Sequence, residues 1–131
     1  MRPARAIPTA PTMTLAEWAA ADVEGELVDG ILVEEEMPSK LHERVVAWLI
    51  ITLGQWAIPR GAAVYGSEHK LGVAPRRGRK PDVTVWIANE PYDPDAVMDT
   101  TPPDVVIEVV TPTPRDAKRD RIEKPVEYAR F

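Results

Sequence analysis

Apolar and polar positions along this chain change their period several times, and each change marks an element. Thr14 followed three residues later by Glu17 has the form of a capping box, opening a short helix over TLAEWAAA. In GELVDGILVEEE, apolar residues alternate on both sides of Asp29-Gly30, a dipeptide that supplies the positive φ angles of a two-residue hairpin turn. The expected strands are Glu26–Val28 and Ile31–Glu35. After Pro38-Ser39 the period lengthens. Leu41, Val45, Trp48, Leu49 and Trp56 recur near helical spacing, and the breadth of that face predicts deep burial against a sheet. This helix should end before Pro59 and Gly61. Three strands are expected next, Ala62–Val73, Asp82–Ile87 and Val105–Val110, with Pro75 and Gly78 marking the turn between the first two. The last segment, Arg115–Phe131, has helical composition but contains Pro125. A proline inside a helix removes one backbone hydrogen bond and clashes one turn back, at a cost of about 3 kcal/mol. The helix therefore either begins near Lys124, with Pro125 in its first turn, or kinks there. Helix, hairpin, helix, three strands, helix predicts an α+β (α/β) fold, a mixed β-sheet flanked by helices.

Composition narrows this picture. At 131 residues the chain is long enough for one core, expected over 14–131 behind a flexible Pro-rich extension, 1–13. The absence of cysteine excludes disulfides and thiolate metal sites, leaving oxygen and imidazole ligands for any metal. No apolar run approaches a membrane span, and the start lacks a secretory apolar stretch, so a cytoplasmic protein is expected. A net charge of −5 argues against nucleic-acid binding by the whole surface. The charges are segregated, however. Glu34, Glu35 and Glu36 form an acidic knot, expected to be a solvated strand end. Lys70, Arg76, Arg77, Arg79 and Lys80 have no acid among them, and Arg115, Lys118, Arg119 and Arg121 form a second basic group.

Both basic groups adjoin carboxylates placed where charge is costly. Asp82 opens the strand-like run after Pro81, and Glu108 sits among Val105, Val106, Ile107, Val109 and Val110. A carboxylate in a buried strand costs several kcal/mol unless it is paired or coordinated. One such acid is explained by a strand end or a neighbouring arginine. Two on adjacent strands would repel, and either one of them takes up a proton or a divalent cation shares the charge. Four tryptophans, Trp18, Trp48, Trp56 and Trp86, fall on core-like patterns and are expected to be packing residues. His42, on the apolar helix, is expected chiefly to pack, and His69 is given no role.

Pro81-Asp82 on one strand and Glu108 on another resemble the PD-(D/E)XK pattern of restriction-endonuclease-like nucleases. The likeness is nearest to the Uma-two-type restriction-endonuclease family, and it runs along nearly the whole chain. It begins at Glu26-Leu27-Val28-Asp29-Gly30, continues through His42 and Pro81-Asp82-Val83, and takes in Pro103 to Pro112. Asp120, Lys124 and Tyr128-Ala129-Arg130 complete it. The resemblance implies a Mg²⁺- (or Mn²⁺-) dependent endonuclease acting on DNA, with Asp82, Glu108 and the Val109 carbonyl holding the metal. Glu26 matches the family's N-terminal acid, as a metal ligand or a group that orients water. The lysine usually found two residues after the glutamate is replaced here by Val110. Lys124 is the matching residue, and Lys80 the alternative. DNA would be contacted through the basic loop Arg76 to Lys80. The family's chain continues past the Tyr-Ala-Arg segment with another strand. Its lack here implies either a fragment or self-association through an open sheet edge, and so a homodimer. Set against the nuclease are a catalytically inactive nucleic-acid-binding domain and a protein-interaction domain of the same fold.

Overall fold

A computed structural model describes residues 12–35, 37–110 and 123–131. The expected N-terminal extension falls almost wholly outside these residues, as do Glu36, Asp120 and the basic group Arg115 to Arg121.

The first helix, α1 (Leu15–Ala20), is closed at its start by the expected capping box. The Glu17 amide donates to Thr14 Oγ1 at 3.1 Å, and the Thr14 amide donates back to Glu17 Oε1 at 3.3 Å. The hairpin follows as β1 (Glu26–Val28) and β2 (Ile31–Val33). Asp29 and Gly30 turn it with φ of 52° and 79°, the conformation that makes Asp-Gly a hairpin signal. Then comes α2 (Lys40–Ala57), capped by Ser39, whose hydroxyl accepts the His42 amide at 3.1 Å. One 3₁₀ turn, Ile58–Arg60, ends it at Gly61 in the left-handed region.

The long strand expected over 62–73 is two strands in different sheets: β3 (Ala63–Tyr65) and β4 (Leu71–Ala74). The turn at Pro75-Arg76 leads directly into β5 (Arg77–Arg79), a strand where the sequence predicts only a turn. Its apolar content is nil, so no hydrophobic alternation announces it. Trp18 explains Gly78: a Cβ there would lie 2.3 Å from the Trp18 ring. The remaining elements are β6 (Val83–Trp86), β7 (Val105–Ile107) and α3 (Lys124–Ala129). Pro125 stands in the first turn of α3, where its missing N–H is harmless.

Among the described residues the strands form two antiparallel sheets, ordered β2-β1-β5-β4 and β3-β6-β7, and parallel pairing is confined to a bridge between Leu71 and Asp99. The α+β class holds, with helices flanking the sheets. Trp18, Leu27 and Leu71 fill the core by the first sheet, and Val83, Val85 and Trp86 fill it by the second. Lys70 serves this core rather than a basic surface. Its ammonium donates to the carbonyls of Trp18, Ala19 and Ala21 at 2.7, 3.3 and 3.0 Å, closing the end of α1.

Two expectations about burial fail here. Trp18 and Trp86 are buried, but Trp48 and Trp56 are 62% and 41% exposed. Only one stripe of α2, through Val46, Gly54 and Ala57, is covered, and its opposite face meets solvent. The alternating charged residues of that helix were too few to reveal how narrow the covered stripe is.

Candidate active site

The register of β6 and β7 places the two acids together. Val83 pairs with Ile107 and Thr84 with Val106, so Asp82 stands opposite Glu108, one step beyond the last pair. Residues directly opposite in an antiparallel pair project to the same face. Both side chains are largely buried, 14% exposed for Asp82 and 12% for Glu108. Asp82 Oδ2 accepts the Val109 amide at 2.7 Å, and His42 Nε2 approaches Oδ1 at 3.3 Å. Val109 thus meets Asp82 through its N–H. His42, expected mainly to pack, reaches across from α2 to the first acid.

Glu108 is met from α3. Lys124 Nζ lies 3.1 Å from Glu108 Oε1, and the Tyr128 hydroxyl donates to the same oxygen at 2.8 Å. The spacing of four residues puts Lys124 and Tyr128 on one face of α3, so both reach one carboxylate. Lys124 also lies 3.2 Å from Glu26 Oε1 and is therefore seated between the two glutamates. Among the described residues Lys124 is the lysine at Glu108. Lys80, the alternative, points to Glu68 at 3.1 Å.

Glu26 is buried and held on several sides. Its Oε2 accepts the Lys80 amide at 2.7 Å, and Arg79 approaches Oε1 at 3.3 Å. Arg79 continues to Glu127 at 2.6 Å, making a buried Glu26–Arg79–Glu127 chain. Arg77 binds Asp29 through two contacts of 3.1 and 3.2 Å. The expectation that Arg76 to Lys80 is a loop presented to DNA is therefore corrected. Within that stretch Arg76 is exposed, whereas Arg79 and Lys80 are buried and ion-paired. Arginines on alternate strand positions were mistaken for a solvated loop because β5 has no apolar residue to betray it.

The electrostatics follow from this crowding. Burial pushes the Glu108 carboxyl up to about 8; Lys124 opposes that rise, while Glu26 and Asp82 add to it. Burial and the Glu108 charge also raise the Tyr128 hydroxyl. Glu35, expected to be a solvated strand end, feels the same site. The surrounding protein and the charge of Glu26 push it up to about 7, with Asp82 adding to the rise, although its side chain is open to solvent. Its place was legible in the hairpin register. Glu26 pairs with Val33, and Glu35, two residues on, points to the same face.

A cavity of about 470 Å³ is lined by Val106, Glu108, Lys124 and Tyr128 among others, but not by Asp82. A larger one, about 700 Å³, opens at Tyr65 to Lys70 and holds neither acid. We take the smaller as the candidate site, because the paired charges converge there. As a metal centre the donor set is incomplete. Its oxygens would suit Mg²⁺, but no group of three or more His, Asp or Glu side chains is arranged to hold an ion among the described residues. Lys124 lies where two of the acids could share one.

No curated protein matches the chain. Residues 13–131, nearly its whole length, match a family described as putative restriction endonuclease. With the opposed acids, the lysine between the glutamates and this match, the chain belongs to the Uma2 family of putative restriction endonucleases.

Proposed function

We propose that the chain works as a catalytically inactive binding domain of restriction-endonuclease-like fold, engaging nucleic acid or protein in the cytoplasm. The observation that carries this is the seat of Lys124. Its ammonium meets Glu26 and Glu108 together, while the two oxygens of Asp82 are taken by His42 and the Val109 amide. Each acid is thus answered by the protein itself. A cation at Glu108 would have to share Oε1 with Lys124 and Tyr128 or take Oε2, in either case beside an ammonium that repels it.

A second reading, a Mg²⁺- or Mn²⁺-dependent endonuclease cutting DNA, is favoured by the opposed placement of Asp82 and Glu108. Mg²⁺ needs only one or two carboxylates besides water and phosphate oxygens. Asp82, Glu108 and the Val109 carbonyl would hold it. When bound, such an ion polarises a phosphoryl oxygen and acidifies a water. Lys124 would then offer its ammonium to charge developing on the phosphate, and Tyr128 would keep Glu108 oriented. Glu26, already bound to Arg79 and the Lys80 amide, would position Lys124 rather than ligate.

Plasmid nicking separates the two. Wild-type protein with Mg²⁺ or Mn²⁺ should leave supercoiled DNA intact if the domain only binds. Cleavage lost in both Asp82→Asn and Glu108→Gln would establish the nuclease instead. DNA binding measured against salt then distinguishes partners: a steep loss of affinity marks phosphate contacts, and no binding at low salt leaves a protein partner.

A further inference from the structure

We propose that the solvent-facing side of α2 is the contact surface for a second copy of this chain. Leu41, Trp48, Ile51, Trp56 and Ile58 stand 71%, 62%, 61%, 41% and 75% exposed along that helix and its closing turn. At roughly 200 Å² for a large side chain, they offer about 600 Å² of apolar surface. That is at the upper end of the largest patch a monomer usually shows. It also approaches the ~800 Å² that each partner contributes to a stable interface.

The pattern along the helix selects a copy of itself as the occupant. A two-fold interface brings one patch against the same patch, so the patch must be self-complementary. Trp48 lies near the middle of α2 (Lys40–Ala57), with Leu41 toward one end and Trp56 toward the other. An antiparallel pair of α2 helices crossing at Trp48 sets Leu41 of each copy near Trp56 of the other and stacks the two Trp48 rings about the axis. Aromatic residues at the centre of an apolar patch are what homodimer interfaces favour. Arg44 lies within this stripe, one turn before Trp48, and the Arg60 guanidinium sits 4.8 Å over the Trp56 ring; both can lay their stems on the apolar surface and keep their charges in water. The edge of β7, which among the described residues pairs with β6 alone, is the other surface at which copies could meet. It is three residues long and offers Val105 at 38% exposure, far less apolar area.

Sedimentation equilibrium on the full chain tests this. Wild type is expected at twice its 14.5 kDa mass. Trp48→Glu and Ile51→Glu should sediment as monomers with unchanged circular dichroism, since neither side chain is in the core. The chain has no cysteine, so a single introduced one reports geometry. In the antiparallel pair Thr52→Cys brings the two thiols roughly 12 Å apart along the axis and Leu41→Cys roughly 21 Å. A cross-linker of about 12 Å reach should therefore join the first variant and not the second. A dimer that survives Trp48→Glu but is lost in Val105→Lys would move the contact to the β7 edge and overturn the proposal. So would a monomeric wild type at 100 µM, on the order of the concentration range in which a weak dimer forms. The outcome of plasmid nicking leaves this result untouched, because α2 meets Asp82 through His42, whose side chain is largely buried, and not through the exposed Trp48 and Ile51.

Discussion

The two sheets of this domain carry buried charge in different ways. In the first, Arg79 of β5 lies between Glu26 of β1 and Glu127 of α3, with contacts of 3.3 and 2.6 Å, and is 2% exposed. In the second, the carboxyls of Asp82 and Glu108 stand opposite each other, one step beyond the paired residues of β6 and β7, and the base that answers Glu108 is delivered from α3. The first alternates acid and base, and meets the second at Lys124. The second leaves one carboxyl pushed up to about 8. Alternating charges serve stability, whereas carboxyls set opposite each other define a place where a base, here Lys124 at Glu108, must enter.

The strongest way to break this contrast is Arg79→Leu. It removes the buried base between Glu26 and Glu127, leaving Lys124 at the first and Arg77 at the second, and urea denaturation should show a loss of about 3 kcal/mol. If stability is unchanged, the first sheet does not depend on its charge chain. Gly78→Ala tests the packing that holds that strand. Its new methyl would collide with the Trp18 ring, and overpacking of this kind costs about 1–3 kcal/mol, measurable in the same denaturation series.

A smaller effect sharpens the second half of the comparison. The folded chain holds a proton on Glu108 that an ordinary carboxyl, near 4.5, releases. Its contribution to stability is therefore full below about 4.5 and is lost as pH rises through about 8. Denaturation midpoints followed over that window should fall with pH in the wild type, and Glu108→Gln should flatten the trend. An equal slope in both proteins would mean that Glu108 is not held protonated. Glu35→Gln should flatten it less, since Glu35 is raised only to about 7 and stands open to solvent.

Much of this was legible before any coordinates. The capping box at Thr14, the Asp-Gly turn, the Ser39 cap and Pro125 as a first-turn residue each rest on local backbone chemistry, which sequence states directly. The pairing of Asp82 with Glu108 was legible because acids within apolar strands demand a reason. What escaped was set by tertiary contact. β5 is Arg-Gly-Arg, and it becomes a strand because Trp18 needs a flat backbone beneath it and Glu26 needs Arg79. The exposure of Trp48 and Trp56 escaped too, since helical periodicity tells which residues share a face and not whether that face is covered.

The central claim is that protein groups already answer both acids, Lys124 at Glu108 and His42 with the Val109 amide at Asp82. Plasmid nicking with added Mg²⁺ or Mn²⁺ tests it most directly, with Asp82→Asn and Glu108→Gln run beside the wild type. Expected is intact supercoiled DNA in all three samples. Metal-dependent cleavage by the wild type that disappears in both variants would contradict it and make the opposed acids a catalytic metal site.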